Sequence, residues 1–368
     1  MFPFHDKAGR RLWTCSVERP GASQAAAVDS LVVGRDGTIY AGADEGRSCA
    51  IRPDGSQLSY PEFARKLMLP TRNGPIYVAT SGGVSAYGAD GARVWSWQRP
   101  GDSWASVTTL ALGTHGIVYA GVAGVRVDGI YALDTAGTNL WSAPAQSSPK
   151  FLAIGNDETL FVGSASRVDG SPAFVEAFGS DGSKLWTLPL GRWEARWLNG
   201  LCAGPAGAIY VCCSDPEHLL CALDSQAKVV WRAGLDSAPQ TLSVAADGTI
   251  VVAERQNVSA FTAEGVRLWS ARPKPALIGN GGLPRGVNPA LRKLVDGDLQ
   301  CIALGRDGTV FVGTGGYDSD PSFVAAFDPS GAQTWSYNLP SGTTALAAGP
   351  DGVVYAGTYD LRVYALTH

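Results

Sequence analysis

Short apolar runs alternate with compact polar turns along this chain, and the alternation follows two motifs. The first reads LVVGRDGTIYAG (31–42): an apolar strand, a turn centred on Asp-Gly, and a second strand rich in β-branched and aromatic residues. It recurs at 68–79, 110–121, 152–163, 201–212, 242–253, 302–313 and 346–357. The second reads ALDTAGTNLW (132–141), with the frame Ala132, Asp134, Gly137 and Trp141, and recurs at 50–59, 86–95, 177–186, 222–231, 260–269 and 326–335. Each motif predicts a β-hairpin, because the turn glycine supplies the positive φ that a tight connection needs. Two successive hairpins make a four-stranded antiparallel unit, with strands a, b, c and d.

The first motif has eight copies. The second has seven intact copies and an eighth split across the termini, VYAL (363–366) supplying its first half and DKAGRRLW (6–13) its second. Eight units in 368 residues average 46 each, the size of one propeller blade. The predicted fold is all-β: one eight-bladed β-propeller of four-stranded antiparallel blades. It forms a single domain over 1–368, and the N-terminal strand completes the last blade. That closure removes the exposed edges an open solenoid would have to cap. The longest gaps between repeats fall at 187–200, 271–299 and 14–29, all in d–a connections. The tight a–b and c–d turns share one rim. The d–a and b–c connections share the other, here called the top.

Composition agrees. Hydrophobic residues make up 45% of the chain, charged residues only 17%, and there are 46 glycines, as expected of a turn-rich β protein with a substantial core. A net charge of −4 without a basic stripe argues against nucleic-acid binding. No run reaches the roughly 18 apolar residues of a membrane helix. Met1 leads almost directly into the repeat, which sets a cytoplasmic location as the expectation. Of seven cysteines, Cys49, Cys202, Cys212, Cys221 and Cys301 sit inside strand-like runs, where cysteine behaves as a small hydrophobe.

The frame of Ala132, Asp134, Gly137 and Trp141 resembles the tryptophan-docking repeat of the pyrroloquinoline-quinone-type eight-bladed propellers, over essentially the whole chain. The resemblance implies that each Trp packs between neighbouring blades. It also implies looser junctions where Ser59 replaces Trp and Ala227 replaces Gly. That family includes quinoprotein alcohol dehydrogenases and non-catalytic members such as the outer-membrane assembly lipoprotein propeller. The dehydrogenases hold a vicinal disulfide against their cofactor, and Cys212-Cys213 is a vicinal pair. This chain is much shorter than those enzymes and has no recognisable set of calcium ligands and catalytic Asp. The pair also reads as successive strand residues, one packed to each face. No cofactor is expected, and the chain resembles the non-dehydrogenase members.

Seven tryptophans fill the motif slot, which leaves Trp97, Trp104, Trp193 and Trp197, all at the end of a d strand or in a d–a loop. Rings in top-face loops either mark a binding surface or pack the loop onto its blade. The insertion GRWEARWLNG (191–200) sets Arg192, Glu194 and Arg196 around Trp193 and Trp197. The b–c loop of the same unit adds Asp215, Glu217 and His218, and neighbouring b–c loops add Arg126 with Asp128 and Arg167 with Asp169. Tyr317 and Asp318 come from TGGYDSDPS (314–322), whose oxygen spacing does not match an EF-hand loop, so no metal site is assigned. The insertion 271–299 carries a short helical possibility at NPALRKLV and is expected to act as a lid or partner contact. There is no GxSxG elbow, HExxH site, paired CxxC or phosphate-binding loop.

The sequence supports a binding or scaffold propeller that takes a small molecule, peptide, glycan or protein on its top face. The alternative is a cofactor-independent lyase, isomerase/cyclase or hydrolase, with His218 and Glu194 as the acid/base pair. A quinoprotein dehydrogenase is the third reading.

Overall fold

The computed structural model describes residues 7–17, 27–34, 36–43, 47–58, 68–70, 75–80, 82–88, 92–101, 105–124, 128–165, 173–190, 197–214, 217–276, 298–315 and 322–368. They form eight four-stranded antiparallel sheets, each in the order a-b-c-d. Blade 1 is Val28–Val33, Ile39–Ala43, Arg47–Ile51 and Gln57–Leu58. Blade 2 is Met68–Pro70, Ile76–Thr80, Gly83–Tyr87 and Arg93–Gln98. Blade 3 is Ser106–Leu112, Val118–Ala123, Gly129–Leu133 and Asn139–Pro144, and blade 4 is Ser148–Ile154, Leu160–Ala165, Phe174–Phe178 and Lys184–Pro189. Blade 5 is Trp197–Ala203, Ile209–Ser214, Leu219–Leu223 and Val229–Gly234. Blade 6 is Pro239–Val244, Ile250–Glu254, Val258–Phe261 and Arg267–Ala271. Blade 7 is Asp298–Leu304, Val310–Gly315, Ser322–Phe327 and Gln333–Leu339. Blade 8 takes Thr343–Ala348, Val354–Thr358 and Arg362–Thr367 from the C-terminus, and Arg10–Ser16 from the N-terminus as strand d, with Trp13 opposite Ala365.

Neighbouring a strands pack on one another around the whole circle, blade 8 onto blade 1 included, so strand a is innermost and the ring is closed. Strands b and c lie between two other blades on both faces, and their residues are buried almost without interruption. This is why they read as continuous apolar runs rather than as alternating ones. Strand a carries a β-bulge at the same register in seven blades, for example between Val107 and Thr109 and between Thr343 and Ala345. A bulge bends the strand and re-aims the extra side chain. At Thr108 and Thr344 the extra residue's hydroxyl donates to a carbonyl of the next blade, at Pro149 (2.6 Å) and Val28 (2.5 Å) respectively.

The bottom rim is fastened by the motif tryptophans. Six of the indoles, those of Trp13, Trp95, Trp141, Trp186, Trp231 and Trp269, donate their N–H to the carbonyl two residues before the positive-φ residue of the next blade's c–d turn. Trp95 donates to Thr135 (2.9 Å), Trp141 to Ser180 (2.8 Å), and Trp13 to Pro53 (2.8 Å), the last across the closure. The indole then lies on the glycine itself. Gly137 has φ +82°, and a Cβ there would stand 2.6 Å from the Trp95 ring. Glycine is required twice, by backbone angle and by space. At the closure Gly9 is required by space alone, a Cβ there standing 2.5 Å from the Trp335 ring, and Lys7–Ala8 run parallel to strand d of blade 7.

The junction at Ala227 corrects the expectation of looseness. Ala227 adopts the left-handed conformation (φ +64°), and Trp186 still donates to Ser225 O at 2.8 Å. The contact is kept and the alanine carries the backbone cost. Ser59 lies outside the described residues.

Candidate functional site

The top of blade 5 carries Trp197, Glu217 and His218, three of the four sequence-predicted site residues that the structure describes, and the fourth, Asp128, lies in blade 3. Trp197 opens strand a, pairs with Ser214, and is 55% exposed, the only tryptophan among the large exposed hydrophobics of the described residues. Two residues on, Asn199 occupies the bulge and its Oδ1 accepts from the Ser214 hydroxyl at 2.9 Å. Ser214 leads into the b–c loop, where Glu217 is exposed and His218 half-buried. The loop is anchored to its own blade, with Leu235 N–H donating to His218 O at 2.9 Å. The Nδ1 of His218 is buried and has no hydrogen-bond partner among the described residues. An unpaired buried ring nitrogen is uncommon and marks either a strain point or a contact left for a ligand.

Asp128 serves its own loop: its carboxylate accepts from Gly124 N–H (3.2 Å) and its carbonyl from Ala145 N–H (3.1 Å). Arg192, Trp193, Glu194, Arg196, Trp104, Arg126, Arg167, Asp169, Asp215, Tyr317 and Asp318 lie outside the described residues, as does 277–297, most of the long insertion. The acid/base pair of His218 and Glu194 is therefore described only at His218.

Trp97, one of the four tryptophans left over by the motif, packs its loop onto the next blade. Its ring lies 5.0 Å from Tyr131, whose hydroxyl accepts from Arg99 Nε at 2.7 Å. Comparable clasps recur along the top rim and were not foreseen. Glu176, fully buried, accepts from Lys184 Nζ (2.6 Å) and from the backbone N–H of Gln146 (2.9 Å) in the preceding d–a connection. Glu254, also fully buried, accepts from the Ser259 hydroxyl (2.6 Å) and from Ser237 N–H (2.8 Å). Buried carboxylates persist only when hydrogen-bonded in this way. The sequence signal was a lone Glu within an apolar strand, in FVEAF and IVVAE.

Cys212 and Cys213 are both fully buried and face opposite neighbours. Cys212 packs with Leu242 and Ile250 of blade 6, and Cys213 with Leu219 and Cys221. Successive strand residues point to opposite faces, so the vicinal pair offers no common surface to a cofactor. All seven cysteines are free thiols. Burial pushes Cys49, Cys202 and Cys301 up to about 12. Cys221 goes the other way, because the Cys213 thiol donates to it and Arg232 adds positive charge. Among the described residues no group of three His, Cys, Asp or Glu side chains is placed to hold a metal, and no helix is long and apolar enough to cross a membrane.

Comparison with known proteins bears on the fold as a whole. A family model described as outer membrane protein assembly factor BamB matches residues 4–151 and 171–316. Among solved structures, BamB from Moraxella catarrhalis superposes with a TM-score of 0.62 at 15% identity, over 98% of this chain and 100% of that one. The Dos1 propeller gives 0.70 at 10% identity, over 98% of this chain and 95% of that one. A streptogramin B lyase gives 0.60 at 12% identity, over 96% and 97%. Likeness at these identities speaks for the fold alone. No curated protein matches the sequence. The family model spans most of the repeats, and the chain belongs to the PQQ_2 family of BamB-like β-propellers.

Proposed function

We propose that this propeller is a partner-binding module whose top face, centred on blade 5, holds a protein or peptide. The observation that carries this reading is Trp197. A half-exposed indole at the mouth of an innermost strand is a large apolar surface that a folded protein normally covers, and aromatic anchors of this kind dominate interface energetics. The loop of Glu217 and His218 stands beside it and supplies the polar rim. Among similar folds, one neighbour bears the name of an outer-membrane assembly factor and another that of a lyase, so the fold alone does not choose between binding and chemistry.

The test is site-specific photo-crosslinking in the native host. A benzophenone amino acid replacing Trp197 is expected to give an adduct of defined mass, and the same probe at Asp54 on the bottom rim none. Trp197→Ala should weaken the recovered complex about tenfold or more, as for an interface hot spot. No adduct from position 197, or the same adducts from both rims, would remove the proposal.

A second reading, a cofactor-independent enzyme, rests on the unpartnered Nδ1 of His218. A histidine whose ring nitrogen has no partner among the described residues fits general acid/base work. Turnover of p-nitrophenyl esters by the full chain that disappears in His218→Gln would favour the hydrolase form of this reading. Equal rates in the two proteins would count against it.

A further inference from the structure

Seven of the eight blades place an aromatic residue at one position of strand b: Tyr40, Tyr77, Tyr119, Phe161, Tyr210, Phe311 and Tyr355. In blades 2, 3, 4, 5, 7 and 8 that ring lies 5.6–6.0 Å from the docking tryptophan of the same blade, tilted by 32–51°. In blades 3, 4, 5 and 8 it also covers the first glycine of the a–b turn. A Cβ at Gly113 would stand 3.2 Å from the Tyr119 ring, and one at Gly204 only 2.3 Å from Tyr210. The turn glycine thus makes room for the ring.

Blade 6 breaks both halves of the rule at once. Val251 stands where the ring should be, and Ala245 where the glycine should be. The two changes complement each other, since without the ring an alanine Cβ fits. The aliphatic side chain does not fill the place of the aromatic one. A cavity of about 320 Å³ opens on the bottom rim between blades 6 and 7, walled by Ala245, Val251, Trp269 and Leu304. Trp269, without a ring partner in its own blade, lies parallel to Phe327 of blade 7 (6.0 Å, 18°). The junction between blades 3 and 4 shows a second device that is missing here. There Thr114 donates to Glu158 across the a–b turns, whereas the corresponding residues between blades 6 and 7 are Ala246 and Gly308.

We infer that this slot is a binding site for a neutral phenol-class ring, which takes the place of the side chain the blade lacks. Apolar cavities of about 150 Å³ already admit benzene, and this one is larger. Its walls are the surfaces that hold a tyrosine or phenylalanine in the other blades. A neutral ring is favoured over an aromatic carboxylate, because the carboxylates of Asp247 and Asp307 flank the mouth against the single cation Arg306. Asp307 is held below the usual carboxylate range by the N–H and hydroxyl of Thr309, which keeps it charged. The site lies on the rim opposite the proposed partner face and does not depend on that reading.

Thermal unfolding of the full chain tests this with p-cresol as the probe. At about ten times its dissociation constant, p-cresol should raise Tm by about 2 °C. The double variant Ala245→Gly with Val251→Tyr restores the arrangement of the other blades. It should raise Tm without ligand and abolish the p-cresol shift. Val251→Met fills the slot without touching the turn and should give the same loss, should the double variant not fold. N-acetyl-tyrosinamide separates the sources of the ring. A shift equal to that of p-cresol assigns the slot to an aromatic side chain of a partner, and a shift with p-cresol alone assigns it to a free phenolic molecule. No shift in the native protein, or an undiminished shift in the filled variants, would overturn the site. An equal shift from 4-methylbenzoate would overturn its preference for a neutral ring.

Discussion

At the scale of single residues the docking motif works by subtraction: its glycine matters for the Cβ it does not have. Ala227 is the natural experiment. It keeps the positive φ of the turn and the Trp186 hydrogen bond, yet carries a methyl group where at the other junctions the indole lies directly on a glycine. A left-handed alanine costs on the order of 1 kcal/mol relative to glycine, and crowding against the indole adds to it. Ala227→Gly is therefore expected to stabilise the protein by about 1 kcal/mol, even after the greater unfolded-state entropy of glycine is counted. Chemical denaturation should show a higher midpoint at unchanged slope. A lower midpoint would mean that the methyl group makes a favourable contact with Trp186.

At the scale of elements the c–d turns share one polar device. Asp134 and Asp328 open their turns, whereas Asp54 and Asp181 stand directly before the turn glycine, and each of the four accepts from the N–H two residues on, at 2.9 Å in every case. All four carboxyls are held below their ordinary value. The cause is the serine hydroxyl two residues on at Asp54, Asp181 and Asp328, and chiefly the Thr138 N–H at Asp134. A carboxyl with a depressed folded-state pKa contributes stability that is present above its unfolded value, near 3.9, and is lost as pH falls through the folded value. Tm should thus be flat above about pH 4.5 and fall below it, and asparagine at all four positions should flatten that fall. An equally steep fall in the variant would place the acid sensitivity elsewhere. These turns were legible in the sequence because their chemistry is local and repeats: Gly and Trp recur at fixed spacing, with an Asp at the first or third position of the turn. The top-rim clasps were not legible. Glu176 finds its partners in Lys184 and in a backbone N–H 30 residues away, and nothing beside it in the chain announces them. Trp97 follows the docking Trp95 by two residues in the same strand, so its facing was legible from the strand period, whereas the exposure of Trp197 at the first position of strand a depends on what the neighbouring chain leaves uncovered. The slot at Val251 was written in the aligned repeats, but reading it required knowing that the neighbouring ring rests on the turn glycine.

At the scale of the whole molecule the ring is closed by two short pieces of chain that are remote in sequence. Arg10–Ser16 completes blade 8, Trp13 docks on Gly55 of blade 1, and Gly9 receives Trp335 of blade 7. The N-terminal segment is thus engaged at both neighbouring junctions as well as in its own sheet. Deleting residues 1–16 leaves three strands in blade 8 and strips the docking contacts from two joints, so the truncated chain should lose its single cooperative transition and aggregate. Loss of a terminus and loss of a strand are different defects, and a circular permutant separates them. In blade 8 Arg11 pairs with Leu366, as Asn139 pairs with Leu133 in blade 3. Joining Leu366 directly to Asp6 would therefore write Ala-Leu-Asp-Lys-Ala-Gly-Arg-Arg-Leu-Trp, the same frame as ALDTAGTNLW. Blade 8 then becomes one continuous repeat, and the chain can open instead within the connection between Val17 and Ala27. The permutant that begins at Ala27, runs to Leu366 and continues from Asp6 to Val17 should be monomeric. It should unfold in one transition within about 5 °C of the parent, because it keeps every docking contact, relocates the ends and loses only residues 1–5, 18–26 and 367–368, of which Thr367 pairs with Arg10. Size-exclusion chromatography and a circular-dichroism melt of the two constructions decide the matter. If the permutant fails as the deletion does, the N-terminal segment does more than supply a strand, and closure depends on where the chain begins.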